Sequence, residues 1–225
     1  MKFTALFLAL LLAIIMPSLS EDADYWLAQT ASDYQNGSYS LALQDIDEYL
    51  ALNSSDALRW MTKANLELKL RRYGEALESF DQAVRLDGSN SQAWNDRALL
   101  LSGYLREYEE ALDSLNRSLE QNPNEASTWY NKAVVLENMD LHNDSLASLE
   151  RAIKLSTEFA QAWNLEGLVL MSLNRYQEAL SSFEKAVSLD STNKGYLENR
   201  ERAQSALREE PPAKMELHRV EGSVN

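Results

Sequence analysis

The chain has 225 residues, 45% of them hydrophobic and 25% charged, the proportions of a protein that buries a core in water. It has no cysteine, so disulfides and thiolate metal sites are excluded and stability must come from packed apolar surface. A net charge of −14, with no basic cluster expected to offset it, argues against nucleic acid or anionic lipid as a non-specific partner.

Residues 1–20 stand apart from the rest. Lys2 is the sole charge before Glu21, and an uncharged, largely apolar run follows it from Phe3 to Met16. Pro17, Ser18, Leu19 and Ser20 then supply a breaker and small residues. This is the layout of a secretory signal peptide. The run is shorter than the roughly 20 apolar residues that a spanning helix needs. Export with removal of residues 1–20 is the expectation, and an uncleaved N-terminal anchor through residues 3–16 is the alternative. Removal would leave 20 basic and 35 acidic residues, a net charge of −15.

From there on the chain repeats itself. All five tryptophans, Trp26, Trp60, Trp94, Trp129 and Trp163, stand 34, 34, 35 and 34 residues apart, and a fixed step of this size marks a repeat architecture. Four residues after each comes a small one: Thr30, Ala64, Ala98, Ala133, Gly167. Further columns are Tyr39, Tyr73, Tyr108, His142 and Tyr176, then Ala42, Ala76, Ala111, Ser145 and Ala179. Ile46, Phe80, Leu115, Leu149 and Phe183 form the bulky column. Within a unit the pattern predicts two helices, for example about Ala57 to Leu70 and Tyr73 to about Leu86. Ala76, Leu77, Phe80, Ala83 and Val84 share one face at 3.6 residues per turn. Asn36-Gly37 and Asn174-Arg175 mark turns within units, and Asp87-Gly88-Ser89-Asn90 and Asn122-Pro123-Asn124 mark turns between them.

At these columns the chain resembles the tetratricopeptide repeat family over about residues 23 to 193. The units are expected at about 23–56, 57–90, 91–125, 126–159 and 160–193. The resemblance implies an all-α fold, a right-handed α-solenoid of five helix-turn-helix repeats. The departures are mild. The proline that closes each family unit stands only at Pro123, with Ser54, Gly88, Thr157 and Ser191 in its place elsewhere. The unit of Trp94 has one extra residue, expected in the turn around Leu105, Arg106 and Glu107. The unit of His142 and Ser145 is expected to pack least well. A charged helix at 194–207 would cap the last repeat, and 208–225, with Pro211-Pro212, is expected to be a disordered acidic and polar tail.

A search for chemistry finds no enzyme, no cofactor site and no metal site. His142 and His218 are the only histidines, and no glycine-rich phosphate loop or His-Glu metal motif occurs. Asp140-Leu141-His142-Asn143-Asp144 lacks the central glycine and closing glutamate of a calcium loop. Asn-x-Ser sequons at Asn36, Asn53, Asn116 and Asn143 are candidates for N-glycosylation in a host that exports through a glycosylating route.

The resemblance further implies a concave groove lined by the first helices, where family members hold peptides. The residues one and five places after each Trp are expected there: Leu27 and Ala31, Met61 and Asn65, Asn95 and Leu99, Tyr130 and Val134, Asn164 and Leu168. This lining is neutral, and an Asn amide can pair with any peptide backbone. The other reading of these residues is burial between hairpins. The family's chaperone adaptors clamp a terminal carboxylate with Lys and Arg, and only Asn65 fits that pattern here, so no such clamp is expected. The expected function is an exported protein–protein interaction scaffold that binds a protein or peptide partner in the groove. It would bind no nucleic acid and, after signal cleavage, insert in no membrane. The alternatives are a structural or self-assembling envelope component and a non-catalytic regulatory subunit of an enzyme encoded elsewhere.

Overall fold

The computed structural model describes residues 22–209, and all the regular structure among them is helical. Helix α1 covers residues 22–35. It is followed by α2 (Tyr39–Leu52), α3 (Ala57–Lys69), α4 (Tyr73–Leu86), α5 (Ser91–Leu100) and α6 (Tyr108–Gln121). Then come α7 (Ala126–Asn138), α8 (His142–Leu155), α9 (Ala160–Ser172), α10 (Tyr176–Leu189) and α11 (Lys194–Glu209). The helices pair in sequence into antiparallel hairpins of the α-solenoid class, as the repeat predicts. Two compact units divide the chain, one ending at Asn131 and the other beginning at Lys132. The expected signal segment, and the expected tail from residue 210 onward with His218, lie outside the described residues.

The first unit shows how the columns make a hairpin. Ala64 and Ala76 are fully buried with Phe80 and Leu100, so a small residue on one helix lets the bulky one on the next reach the backbone. Ala42, Leu43, Ile46 and Leu50 of α2 pack in the same way with Leu66 of α3. In the second unit Gly167 lies against the Phe183 ring, and Ala133, Leu149 and Phe183 of the same columns are fully buried. Helix α11 covers α9 and α10 with Tyr196 and Ala203, both buried.

The turns repeat as faithfully as the core. Each first helix ends on a residue in the left-handed region: Gly37, Arg71, Arg106, Asp140 and Asn174, with φ between 58° and 74°. The next N–H then reaches back to a carbonyl inside the helix, Arg72 to Glu67 at 2.8 Å, Leu141 to Leu136 at 2.9 Å and Arg175 to Leu170 at 2.8 Å. In the unit of Trp94 the extra residue does not sit in the turn. It is absorbed upstream as a π-helical segment, Leu101–Leu105, and the closing bond runs from Glu107 to Leu101, one residue longer than its counterparts. The insertion thus leaves the turn itself unchanged, with Arg106 in the position of Arg71.

Four of the five tryptophans secure the turn before their own helix. Trp60 Nε1 donates to Ser54 O, Trp94 to Gly88, Trp129 to Pro123 and Trp163 to Thr157, all at 2.9 Å. These acceptors are the column where the family places proline, so the indole pins the bend whether or not a ring stiffens it. Side-chain caps add to this at three helix starts: Asp56 accepts from Arg59 N, Asn90 from Ala93 N and Asn193 from Gly195 N. The hairpin expected to pack least well accommodates its serine. Ser145 is fully buried and its hydroxyl donates to Ala133 O at 3.0 Å, so the polar atom is satisfied in the space an alanine would fill.

Candidate functional site

The first-helix residues expected to line a groove separate into two groups. Met61 and Asn95 are each only 7% exposed. Met61 packs with Ala83, Val84 and Ala93, and its sulfur accepts from Asn90 Nδ2. Asn95 Oδ1 accepts from Asn131 Nδ2 at 2.9 Å, and Asn164 Oδ1 accepts from Asn199 Nδ2 at the same distance. At these positions the side chain joins one helix to the next, because the position directly after the tryptophan faces the following repeat. Asn65 and Leu99 are exposed, Leu99 at 44%, and Ala31 is exposed on α1. Leu27, Tyr130, Val134 and Leu168 are half-buried.

Within the first unit exposed Ala31 and Asn65 meet, with half-buried Leu27, in a cavity of about 720 Å³ between α1 and α3. Leu27, Ala31 and Tyr34 form its α1 wall, and Ile46 of α2 is its floor. Arg59, Thr62, Asn65 and Lys69 form the α3 wall. The expected neutrality of this lining is therefore corrected. Arg59 and Lys69 lie one place before and nine places after Trp60, outside the two columns that the spacing singled out. The stretch from Ala57 to Arg72 holds Arg59, Lys63, Lys69, Arg71 and Arg72 against Glu67 alone, so an acidic protein does carry one basic cluster.

The polar atoms of the cavity wall are unequally engaged. Thr30, Thr62 and Asn65 donate to carbonyls of their own helices, Trp26, Leu58 and Met61. Asp56, the carboxylate beside Arg59, accepts from Tyr49 Oη at 2.8 Å through one oxygen and from Arg59 N at 3.2 Å through the other. Its contact with the Arg59 guanidinium is a loose 3.9 Å, the Arg59 side chain also bears on Tyr49, and among the described residues Arg59 Nε is buried without a hydrogen-bond partner.

Titratable groups elsewhere serve the packing. Burial pushes the Glu67 carboxyl up, while a 2.7 Å bond from Ser79 and the Lys63 charge pull it back. Burial likewise raises Glu166, against a 2.7 Å bond from Ser182, and the neighbouring Glu150 charge raises it further. Lys132 is lowered by burial. His142 Nδ1 lies 3.0 Å from Glu137 Oε2. Among the described residues no group of three or more His, Cys, Asp or Glu could hold a metal ion. Of the sequon residues, Asn36 is exposed in a turn, Asn53 is half-buried after α2, and Asn116 and Asn143 are exposed on α6 and α8.

Models of the tetratricopeptide repeat match residues 61–101, 126–159 and 160–193. The chain is a tetratricopeptide repeat protein. Its units outside those matches carry the same tryptophan, small and bulky columns. Solved structures of such repeats superpose on most of it. MamA from Desulfovibrio magneticus RS-1 is 17% identical with a TM-score of 0.71, covering 77% of this chain and 97% of its own. YrrB, a TPR protein with an unusual peptide-binding site, is 21% identical with a TM-score of 0.70, covering 84% and 97%. PilW, a widely conserved type IV pilus biogenesis factor, is 19% identical with a TM-score of 0.71, covering 83% and 86%. No curated protein matches the sequence. Tetratricopeptide repeats generally bind protein partners and are generally non-catalytic, and the shared fold supports a protein–protein interaction scaffold. Among the described residues no helix of this repeat protein is long and apolar enough to cross a membrane.

Proposed function

We propose that this tetratricopeptide repeat protein is an exported, non-catalytic adaptor that holds a peptide segment of a partner protein against its first helices. The cavity between α1 and α3 carries the reading. Three residues expected in a groove from the family resemblance and the repeat spacing, Leu27, Ala31 and Asn65, line it together. Its apolar wall and floor would bury side chains of a bound segment, as ligand sites of this size do. The peptide-binding site of YrrB, on a similar framework, supports the same use of these helices. Exposed Leu99 and half-buried Tyr130 in the first unit, and Val134 and Leu168 in the second, would extend the contact surface on each unit.

The test is selection of peptides from a displayed random library, followed by titration against Ala31→Trp. Tryptophan at that exposed position fills the cavity from the α1 side without entering the hairpin core. Selected peptides should bind the wild type and lose about tenfold or more in affinity on the variant, whose helical content stays the same. Peptides that bind both proteins equally would overturn the groove reading. Export rests on residues 1–20, and N-terminal sequencing from the native host decides it: a chain that keeps Met1 in the cytosol would contradict it.

A further inference from the structure

The asparagines divide into two groups that the fold treats differently. Eleven of those described stand outside an Asn-x-Ser sequon, and ten of the eleven bond through the side chain. Asn90 caps α5, Asn95 meets Asn131, and Asn164 meets Asn199. Asn65 and Asn138 reach back one turn to carbonyls of their own helices. Asn124 is the exception. The four sequon asparagines, Asn36, Asn53, Asn116 and Asn143, form no side-chain hydrogen bond among the described residues. Neither packing nor capping accounts for them. Asn116 stands exposed in the middle of α6 and Asn143 exposed in the first turn of α8, although asparagine is a poor helix former. Asn36 is exposed in the α1–α2 turn, and Asn53 is half-buried where α2 ends. All four lie on second helices or in the turns that bound them, and none lines the α1–α3 cavity.

We infer that the exported chain is an N-linked glycoprotein modified at Asn36, Asn53, Asn116 and Asn143. The inference rests on the export reading above and is independent of the groove. In the transfer, Nδ2 of each asparagine attacks C1 of an oligosaccharide carried on a polyisoprenyl phosphate or pyrophosphate. The N–C1 bond forms as the C1–O bond to phosphate breaks. The lipid phosphate leaves with the bonding electrons, and the amide gives one proton to solvent. The product amide keeps a single N–H and carries a bulky, solvated substituent. An asparagine that caps a helix or bridges two of them could not take that change and keep its bond, whereas the four unbonded amides lose nothing. The sequon hydroxyls set the order of events. Ser55 is exposed, but Ser118 and Ser145 are buried and donate to Ser91 O and Ala133 O. A transferase that reads the hydroxyl reaches the two helical sites only before these helices pack, so their glycans are added ahead of folding.

Intact-mass and peptide mass spectrometry of the full chain, purified from its native host, provide the test. A glycopeptide is expected at each sequon. Asn36→Gln, Asn53→Gln, Asn116→Gln and Asn143→Gln should each remove one glycan mass. Because these amides bond nothing in the fold, the variants should remain folded. Ser55→Ala should lose the same mass as Asn53→Gln while keeping its asparagine, which separates the sequon from the side chain. Asn124→Gln, at the unbonded asparagine outside a sequon, should change the mass by the substitution alone. A chain found outside the cytosol with no added mass overturns the inference and leaves export standing. A chain that keeps Met1 in the cytosol overturns both. Glycan at Asn36 and Asn53 alone overturns the assignment of the two helical sites. Added mass that survives all four asparagine substitutions places the modification on other residues and overturns the inference throughout.

Discussion

A Cβ built on Gly167 would lie 2.5 Å from Cε1 of Phe183, closer than any real contact, so the absence of a side chain on α9 is what lets the ring of α10 seat. The corresponding pair in the second hairpin is Ala64 with Phe80, both fully buried, so the same column accommodates a methyl group where the ring stands farther off. The two hairpins have solved one packing problem at two spacings.

Gly167→Ala should therefore destabilise the second unit, although alanine is the better helix former by about 1 kcal/mol. Overpacking a filled core costs about 1–3 kcal/mol, so the net loss is expected at about 1–2 kcal/mol in urea unfolding. Adding Phe183→Leu should recover part of the loss, because the atoms in collision are those of the ring. An unchanged or raised midpoint for the single variant would mean that Phe183 swings into the arrangement of Phe80.

Trp94→Phe isolates the indole bond from the bulk of the ring. The bond to Gly88 O is lost while most of the packing stays, so a cost of about 0.5–1.5 kcal/mol is expected. Trp94→Ala removes the packing and the cation–π contact with Arg117 as well. Its cost is expected near 3 kcal/mol, the lower end for a large aromatic, because this ring is only half-buried. A loss below about 1 kcal/mol for the alanine variant would show that the column contributes little to stability.

Much of this was legible in the sequence, and the illegible parts share a cause. Period, small and bulky columns follow from contacts made again at every step, so five copies of each reveal it. A feature that occurs once has no such support. The inserted residue was evident from the spacing between Trp94 and Trp129, but a π-helical segment and a longer turn give the same count. Arg59 and Lys69 were missed because no column holds them: the cavity wall includes positions before and well after the tryptophan. Asn95 and Asn164 were expected in the groove but bond to Asn131 and Asn199, because repeat spacing cannot tell whether a face meets a ligand or another helix.

Glu166 makes the second unit sensitive to pH. Its carboxyl is raised by burial and by Glu150, and only partly lowered by the Ser182 bond. Between the ordinary carboxylate value and the raised one the folded state binds more protons than the unfolded state. Stability contributed here is therefore greatest below the ordinary value and is lost as pH rises through the raised value. Glu166→Gln keeps an acceptor for Ser182 and removes the charge, so it should raise stability at neutral pH and flatten the profile above the ordinary carboxylate range. Urea midpoints across that range check it. A variant less stable than wild type at pH 7 would indicate that the ionised carboxylate is favourable where it stands.

The turn residues give a simpler expectation. Asp140 holds a left-handed conformation, φ 58°, at a turn where the first hairpin uses Gly37. The left-handed region costs a residue with a Cβ about 1–2 kcal/mol, part of which glycine returns as unfolded-state entropy. Asp140→Gly should stabilise by a few tenths to about 1 kcal/mol, and Asn174→Gly by less, since asparagine tolerates this region. Paired thermal melts distinguish them, and a loss of stability in Asp140→Gly would mean that its side chain contributes more than its backbone costs.

The asparagines of the first helices separate structure from binding most directly. Asn95 is buried and accepts from Asn131, so Asn95→Ala leaves the Asn131 amide facing a space without its acceptor. That should cost about 1–3 kcal/mol of stability, more than the roughly half kcal/mol that alanine returns in helix propensity. Asn65 is exposed and bonds only Met61 O of its own helix, so Asn65→Ala should leave stability within about 0.5 kcal/mol. For a peptide held in the α1–α3 cavity the order reverses. Asn65 lines the cavity and Asn95 does not, so only the first variant should weaken binding at temperatures where both are folded. Denaturation and anisotropy on the two single variants give four numbers that must fall in this crossed pattern. If Asn95→Ala is stable and weakens binding, its amide is free for a ligand and the bond to Asn131 is incidental.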